Sequence, residues 1–312
     1  MLASKGIMSD VFTCGAAITE IPFANVVHVS KNKLFMYLKL VYISRRYKSI
    51  VICQSYYLPW IALAIILLRS IYDTRIILAE RNSFRQYDKA RFKKRILTFL
   101  FQKKHQLIDH VIFNSVELRE EEVFNKLSYK SSVVKNPRFS RSDSELISEP
   151  TRKLNAKKIC MYLRWADQKN LDFILKASKV FERLGLEFHV YCGETEHFFQ
   201  KPFVRDAFIH MDENPSIIFF CSLFEGYPNI LLEARVLGLP VVFSKCPTGV
   251  KEILNGYANA FEFEFNDLSS LEKTLDVNHE QFRRLNVDRE LLAQHSVDSE
   301  VLIEALIRSV EY

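Results

Sequence analysis

The sequence predicts an α/β protein built on two parallel, doubly wound sheets. Short runs rich in β-branched and aromatic residues alternate with helical patterns along the chain, an order that favours parallel strands joined by crossover helices. A polar stretch at 139–156, rich in Ser and charge, divides that alternation into two sets and reads as a linker. The 312 residues are 48% apolar, enough for two cores of ordinary size.

The first set of strands reads as 10–14, 26–30, 50–55, 75–80, 110–115 and 132–136. Between the third and fourth, the longest apolar stretch, 60–68, stops at Arg69 and is too short to span a bilayer, so a strand, a turn and then a buried helix fit this region. The second set reads as 157–162, 187–192, 216–221, 239–244 and 260–263. Its third member, Ile217-Ile218-Phe219-Phe220-Cys221, is apolar without alternation, the pattern of a strand covered on both faces.

Composition narrows the function classes. Six cysteines, at 14, 53, 160, 192, 221 and 246, never approach C-x-x-C spacing, so buried free thiols in a reducing cytoplasm are expected. Residues 1–10 have neither the basic start nor the apolar core of a secretory signal. The net charge of +6 is concentrated at 81–105, where nine Lys or Arg face only Asp88, leaving −2 for the rest of the chain. There Phe92, Ile96, Phe99 and Leu100 form an apolar helical stripe with Lys89, Lys93, Lys94 and Arg95 largely off it. Two readings stay open: a solvated helix face, or attraction to an anionic membrane surface or a diphosphate-linked lipid acceptor. No nucleic-acid partner is expected, because none of the common binding signatures occurs.

The candidate site is the turn Gly226-Tyr227-Pro228-Asn229, bracketed by Glu225 and Glu233 directly after the apolar strand. Gly226 permits an unusual backbone angle, and Pro228 suits the first turn of a helix whose leading N–H groups can hold an anion such as a diphosphate. Glu233 shares a helix face with Asn229, Ile230, Val236 and Leu237, where a carboxylate needs a partner. Spacing alone also allows Glu233 to pair with a basic side chain and Glu225 to be a solvated loop acid. With eight glycines and neither G-x-G-x-x-G nor a P-loop, phosphate has to be held by helix termini and basic side chains.

The run from Ser222 to Ala234, followed by Gly238-Leu239-Pro240-Val241-Val242 and Gly249-Val250-Lys251-Glu252-Ile253, resembles the donor-binding signature of family 4 glycosyltransferases, retaining enzymes of the GT-B fold. The resemblance implies that Glu225 lies against the donor sugar, that Glu233 bonds the nucleotide ribose, and that backbone amides of Gly226, Tyr227, Pro228 to Asn229, Ile230 and Leu231 line sugar and phosphate. It further implies that Arg164 and Lys169, after the strand at 157–162, hold the diphosphate and neutralise the leaving group. Guanidinium and ammonium suit that task, since the departing diphosphate gains negative charge. Glu225, Arg164 and Lys169 are thus the expected catalytic set. No Asp-x-Asp occurs among the thirteen aspartates, so no metal and no cofactor is expected beyond a UDP- or GDP-sugar donor.

The resemblance is strongest over 157–256, moderate over 108–138 and weak before residue 75. It implies an amino-terminal domain at 1–138, a linker at 139–156, a donor domain at 157–292 and, at 293–312, a closing helix that crosses back. Three departures stand out. Leu163 replaces the usual Gly before Arg164, Glu80-Arg81-Asn82 stands where relatives place a His, and the 193–216 region is short. In addition Leu2-Ala3-Ser4-Lys5-Gly6 resembles the end of a helix, so the first domain is expected to lack its opening strand in a chain shortened relative to its relatives. The expected activity is retaining sugar transfer to a lipid-linked or oligosaccharide acceptor, as in bacterial surface polysaccharide or lipopolysaccharide assembly, in the cytoplasm or at the inner face of the membrane. Competing readings are a non-catalytic GT-B remnant that binds a nucleotide or partner protein, and a nucleotide-sugar epimerase.

Overall fold

A computed structural model describes residues 10–13, 25–28, 42, 46–53, 74–136, 151–193, 196–204, 206–247, 249–284 and 286–288. These fall into two compact units, the first ending at Val134, the second beginning at Lys135 and also taking in Ser115–Leu118. The segment 60–68, most of the expected linker and the expected closing helix lie outside the described residues.

In the first unit β3 (Ser49–Cys53), β4 (Arg75–Glu80), β5 (His110–Phe113) and β6 (Ser131–Val133) form a parallel sheet in sequence order. β1 (Asp10–Thr13) and β2 (Asn25–His28) pair with each other, also in parallel, as a separate two-stranded sheet. Aromatic packing supports the larger sheet: Phe124 meets Phe84, Phe101 and Phe113 at centroid distances of 6.0, 5.2 and 5.0 Å. The loop after β4 is anchored by Glu121, whose carboxylate accepts from Ser83 Oγ at 2.5 Å and the Phe84 N–H at 2.8 Å. Burial pushes that carboxyl above its ordinary pKa.

Helix α1 (Arg91–Lys103) corrects the expected stripe. Leu97, Leu100 and Phe101 are its buried residues, and Phe92 and Phe99 stand in solvent at 64% and 46% exposure. The inward face follows the aromatic cluster, which Phe101 joins, and Phe92 and Phe99, two turns apart, project away from it.

The strands of the second unit are β8 (Asn155–Tyr162), β9 (Glu187–Tyr191), β10 (Gln200–Lys201), β11 (Ser216–Phe220), β12 (Val241–Ser244) and β13 (Ala260–Phe263). They form one six-stranded, wholly parallel sheet in the order β10-β9-β8-β11-β12-β13. All five residues of β11 are buried. Its side chains alternate between two cores: Ile217 and Phe219 pack with Phe173, Phe181, Phe263 and Leu271, and Ile218 and Phe220 pack with Leu231, Leu232 and Ile253. The first core lies beneath α2 (Leu171–Arg183) and α6 (Leu268–Arg284), the second beneath α4 (Asn229–Val236) and α5 (Val250–Leu254). The short α3 (Ala207–Glu213) adds Phe208 and Met211 to the second core.

The end of the expected linker is structured. β7 (Thr151–Lys153) pairs antiparallel with β14 (Asn286–Asp288), and β8 begins at Asn155 rather than Lys157. Segments of two or three residues, including β10, are too short to print a period on the sequence. Cys160, Cys192, Cys221 and Cys246 are buried free thiols. No helix among the described residues is long and apolar enough to cross a membrane.

Candidate functional site

Strand order fixes where a ligand can enter the second unit. The chain passes from β8 outward to β9 and β10, then returns to the other side of β8 with β11 and continues to β12 and β13. Loops leaving the carboxyl ends of β8 and β11 therefore diverge, and a crevice opens between them. Arg164 and Lys169 lie on the first loop, Glu225 and the Gly226–Asn229 turn on the second.

The two loops are fastened by Gln168, whose carbonyl accepts the Leu223 N–H at 2.9 Å and whose Nε2 donates to Phe224 O at 3.0 Å. Lys169 follows in a 3-10 turn closed by its N–H to Ala166 O at 2.8 Å. Its ammonium reaches Glu225 Oε1 at 2.6 Å, with the two side chains only 23% and 11% exposed. Asn170 then takes a left-handed conformation, φ 65°, at the head of α2, and its Nδ2 donates to Oδ1 of Asn266, itself at φ 58°. Asparagine tolerates that region better than other side chains, so the loop ends in a fixed corner.

The turn is clamped from three sides. Asn136 Nδ2 donates to Tyr227 O at 3.0 Å and Asn229 Oδ1 at 2.7 Å. The Lys135 ammonium sits 6.0 Å from the Tyr227 ring centre and 3.5 Å from Glu252 Oε2, and Glu252 Oε1 accepts the Glu117 N–H at 2.9 Å. Gly249, at φ 68°, lies so close beneath that a Cβ there would come within 2.0 Å of Gly226 O and 3.0 Å of Tyr227 Cα.

This revises the role of the turn glycine. Gly226 is not among the positive-φ residues; the left-handed glycine is Gly249, and the turn needs it for clearance. Pro228, at φ −71° and ψ 115°, stands one place earlier than expected, as the residue before α4. Behind it the Asn229 and Ile230 N–H groups have no hydrogen-bond partner among the described residues, and the Leu231 N–H bonds to Pro228 O at 3.2 Å. An anion-binding helix start is thus left open.

Lys169, Glu225 and the turn are brought together. Arg164 is on the same loop as Lys169, exposed and without a hydrogen bond or ion pair among the described residues. Glu233, half-buried on α4, does not acquire among the described residues the partner its position calls for. Its carboxyl is instead pushed up to about 7, first by burial and then by the negative charge of Asp206. A carboxyl that holds its proton more tightly when folded makes stability fall as pH rises from about 4.5 to 7. Thermal melts of the parent and Glu233→Gln from mildly acid to mildly alkaline pH are expected to diverge through that window. The variant gains on the order of 1–3 kcal/mol relative to the parent on the alkaline side; parallel curves would show that Glu233 is not strained.

Sequence reasoning placed Gly249 and Glu252 in the donor-binding signature without giving either a role, and gave Asn136 and Gln168 none. One signal was available for Gly249: in a chain with eight glycines, each retained one is a candidate for a place where a Cβ does not fit.

No protein-family model matches the chain. It is similar to an uncharacterized glycosyltransferase of Haemophilus influenzae, 32% identical over 94 residues, which are 30% of this chain and 27% of the relative. A second relative, an uncharacterized glycosyltransferase of Methanocaldococcus jannaschii, is 26% identical over 218 residues, 61% of this chain and 54% of the relative. The chain thus spans about a quarter and about half of the length of these relatives. Among solved structures, sucrose-phosphate synthase from Thermosynechococcus elongatus superposes with a TM-score of 0.67 over 99% of this chain and 90% of that one, at 13% identity. TarM superposes with a TM-score of 0.65 over 89% and 58%, at 15% identity. The fold is GT-B. A further GT-B neighbour, the lipopolysaccharide outer core galactosyltransferase WaaB, has a TM-score of 0.50 over 83% of this chain and 78% of that one, at 15% identity. In GT-B terms, Lys169, Glu225 and the open helix start occupy the switch point of the second parallel sheet.

Proposed function

We propose that the chain is a retaining glycosyltransferase of the family 4 type, moving a sugar from a nucleotide-sugar donor to a hydroxyl acceptor in surface polysaccharide or lipopolysaccharide assembly. The observation that carries this reading is the Lys169–Glu225 pair at 2.6 Å, set at the switch point beside the leading N–H groups of α4, which have no partner among the described residues. A diphosphate on that helix start takes its counter-charge from Lys169 and Arg164, which also stabilise the charge that grows as the glycosidic phosphate bond breaks. The acceptor hydroxyl attacks the anomeric carbon from the face the diphosphate leaves. Its proton passes to a leaving phosphate oxygen, giving the glycoside and a nucleoside diphosphate with no metal required. Glu225 orients the sugar hydroxyls and Glu233 the ribose. The names of the relatives support sugar transfer, and that of WaaB points toward a lipopolysaccharide acceptor.

A panel of UDP-, GDP- and ADP-sugars tests the reading by thermal shift. The best stabiliser is then incubated with membrane extract. Nucleoside diphosphate release that depends on the extract is expected. Stabilisation without release would favour a non-catalytic remnant, and the absence of any stabilisation would end the nucleotide-sugar assignment.

A further inference from the structure

We infer that Asn136 is a positioning residue: it orients the side-chain amide of Asn229 so that Asn229 Nδ2 donates to a phosphoryl oxygen of the nucleotide at the head of α4. The inference rests on the sugar-transfer reading and adds to it a side-chain donor, where the resemblance implies backbone amides alone. Asn136 follows β6 and is buried. Its Nδ2 donates twice, to Tyr227 O at 3.0 Å and to Asn229 Oδ1 at 2.7 Å. A main-chain carbonyl can only accept, so Tyr227 O fixes which end of the Asn136 amide faces the turn. That end carries only hydrogens, so Asn229 has to meet it with oxygen. The Nδ2 of Asn229 is thereby turned away from Asn136.

Asn229 is exposed, and its Nδ2 has no hydrogen-bond partner among the described residues. It is the first residue of α4, so this amide stands beside the Asn229 and Ile230 N–H groups, which have no partner among the described residues either. Side-chain and main-chain donors then converge on one helix start, and the side-chain oxygen that could spoil the set is taken by Asn136. An amide free to turn would present its oxygen there as readily as its nitrogen, and an oxygen repels phosphate. Fixing the amide beforehand removes the cost of ordering it when the ligand arrives. A row of donors without an acceptor suits an oxyanion rather than a hydroxyl group, which also has a hydrogen to place. Holding the turn in place would have required only the bond to Tyr227 O.

Asn229→Asp separates the ligand contact from the clamp. Aspartate keeps an oxygen for Asn136 and its charge suits a helix start, so a melting temperature no lower than the parent's is expected, yet it replaces the outward donor with a second oxygen. Calorimetry with UDP, GDP and ADP finds the diphosphate that the parent binds, and Asn229→Asp should bind it about tenfold or more weakly. Asn136→Ala, which frees the amide to turn, should weaken binding by less. Nitrogen–proton spectra of the side-chain amides give a second measurement. The Asn229 Nδ2 hydrogens, assigned by their absence from Asn229→Ser, should shift when the diphosphate is added to the parent and should barely move in Asn136→Ala. Parent-like binding by Asn229→Asp, or Asn229 hydrogens that stay in place in the parent, overturns the inference and leaves the sugar-transfer reading standing. An equal shift in Asn136→Ala and the parent removes Asn136 from the role. Failure of the parent to bind any of the three diphosphates overturns the sugar-transfer reading and this inference together.

Discussion

Lys169→Ala is expected to lower kcat/KM for sugar transfer by about 10²–10³-fold, the size of effect seen when one preorganised charge is taken from a developing anion. The ammonium is fixed before any ligand arrives, by the 3-10 turn at its own backbone and by the 2.6 Å contact with Glu225. A charge already in place needs no reorganisation during bond breaking, which is why its removal is felt in the rate rather than only in binding. The same change removes a 2.6 Å ion pair from a site where the Glu225 side chain is 11% exposed, so some loss of stability, about 1–3 kcal/mol, accompanies it. Glu225→Gln separates the two effects. It breaks the ion pair and lowers stability less, but keeps Lys169 for the diphosphate, so its turnover should lie well above that of Lys169→Ala. Single-turnover rates measured beside melting curves distinguish them, and a Lys169→Ala enzyme with turnover close to the parent would remove Lys169 from the chemistry.

The second large effect is expected at Gly249. Its φ of 68° alone makes any side chain unfavourable, by about 1–2 kcal/mol. A methyl group there also lands 2.0 Å from Gly226 O, so the turn that carries the open helix start has to move. Gly249→Ala is therefore expected to destabilise the protein by about 2–4 kcal/mol and to abolish nucleotide-sugar stabilisation. Gly256 offers an internal comparison: it has the same φ of 68°, but a methyl group at that position would meet nothing within 4 Å. Gly256→Ala should show the backbone cost alone and keep donor binding. If the two alanine variants melt together and bind alike, the clearance argument for Gly249 is wrong.

Much of this architecture was legible from residues. The strands at 75–80 and 260–263 have the expected bounds, because each is a compact apolar run ended by polar or turn residues. The Glu225–Glu233 segment drew attention through its resemblance to a donor-binding signature and its placement after β11, while the backbone angle expected of Gly226 is found at Gly249 instead. Three things were not visible, each for a physical reason. The pairing of Lys169 with Glu225 depends on two loops separated by 56 positions, and no local pattern encodes it. The outward orientation of Phe92 and Phe99 could not be read from α1 alone, since Leu97, Leu100 and Phe101 make an equally good apolar arc. What chose between the arcs was the neighbouring aromatic cluster, a tertiary contact. Asn136 gave no sign that its amide would hold a turn about ninety residues away, a reach set by topology rather than by its neighbours.

The resting Lys169–Glu225 contact has a consequence for what can occupy the crevice. A simple inorganic ion that recruits the ammonium breaks its contact with the carboxylate and offers the acid no donor in exchange, so each such visitor meets an internal competitor already seated. A molecule bearing both phosphoryl oxygens and hydroxyl groups can separate the two side chains and satisfy each of them. The closed pair therefore acts as a filter: it discourages chloride and sulfate, and it opens for a ligand that offers acceptor and donor together.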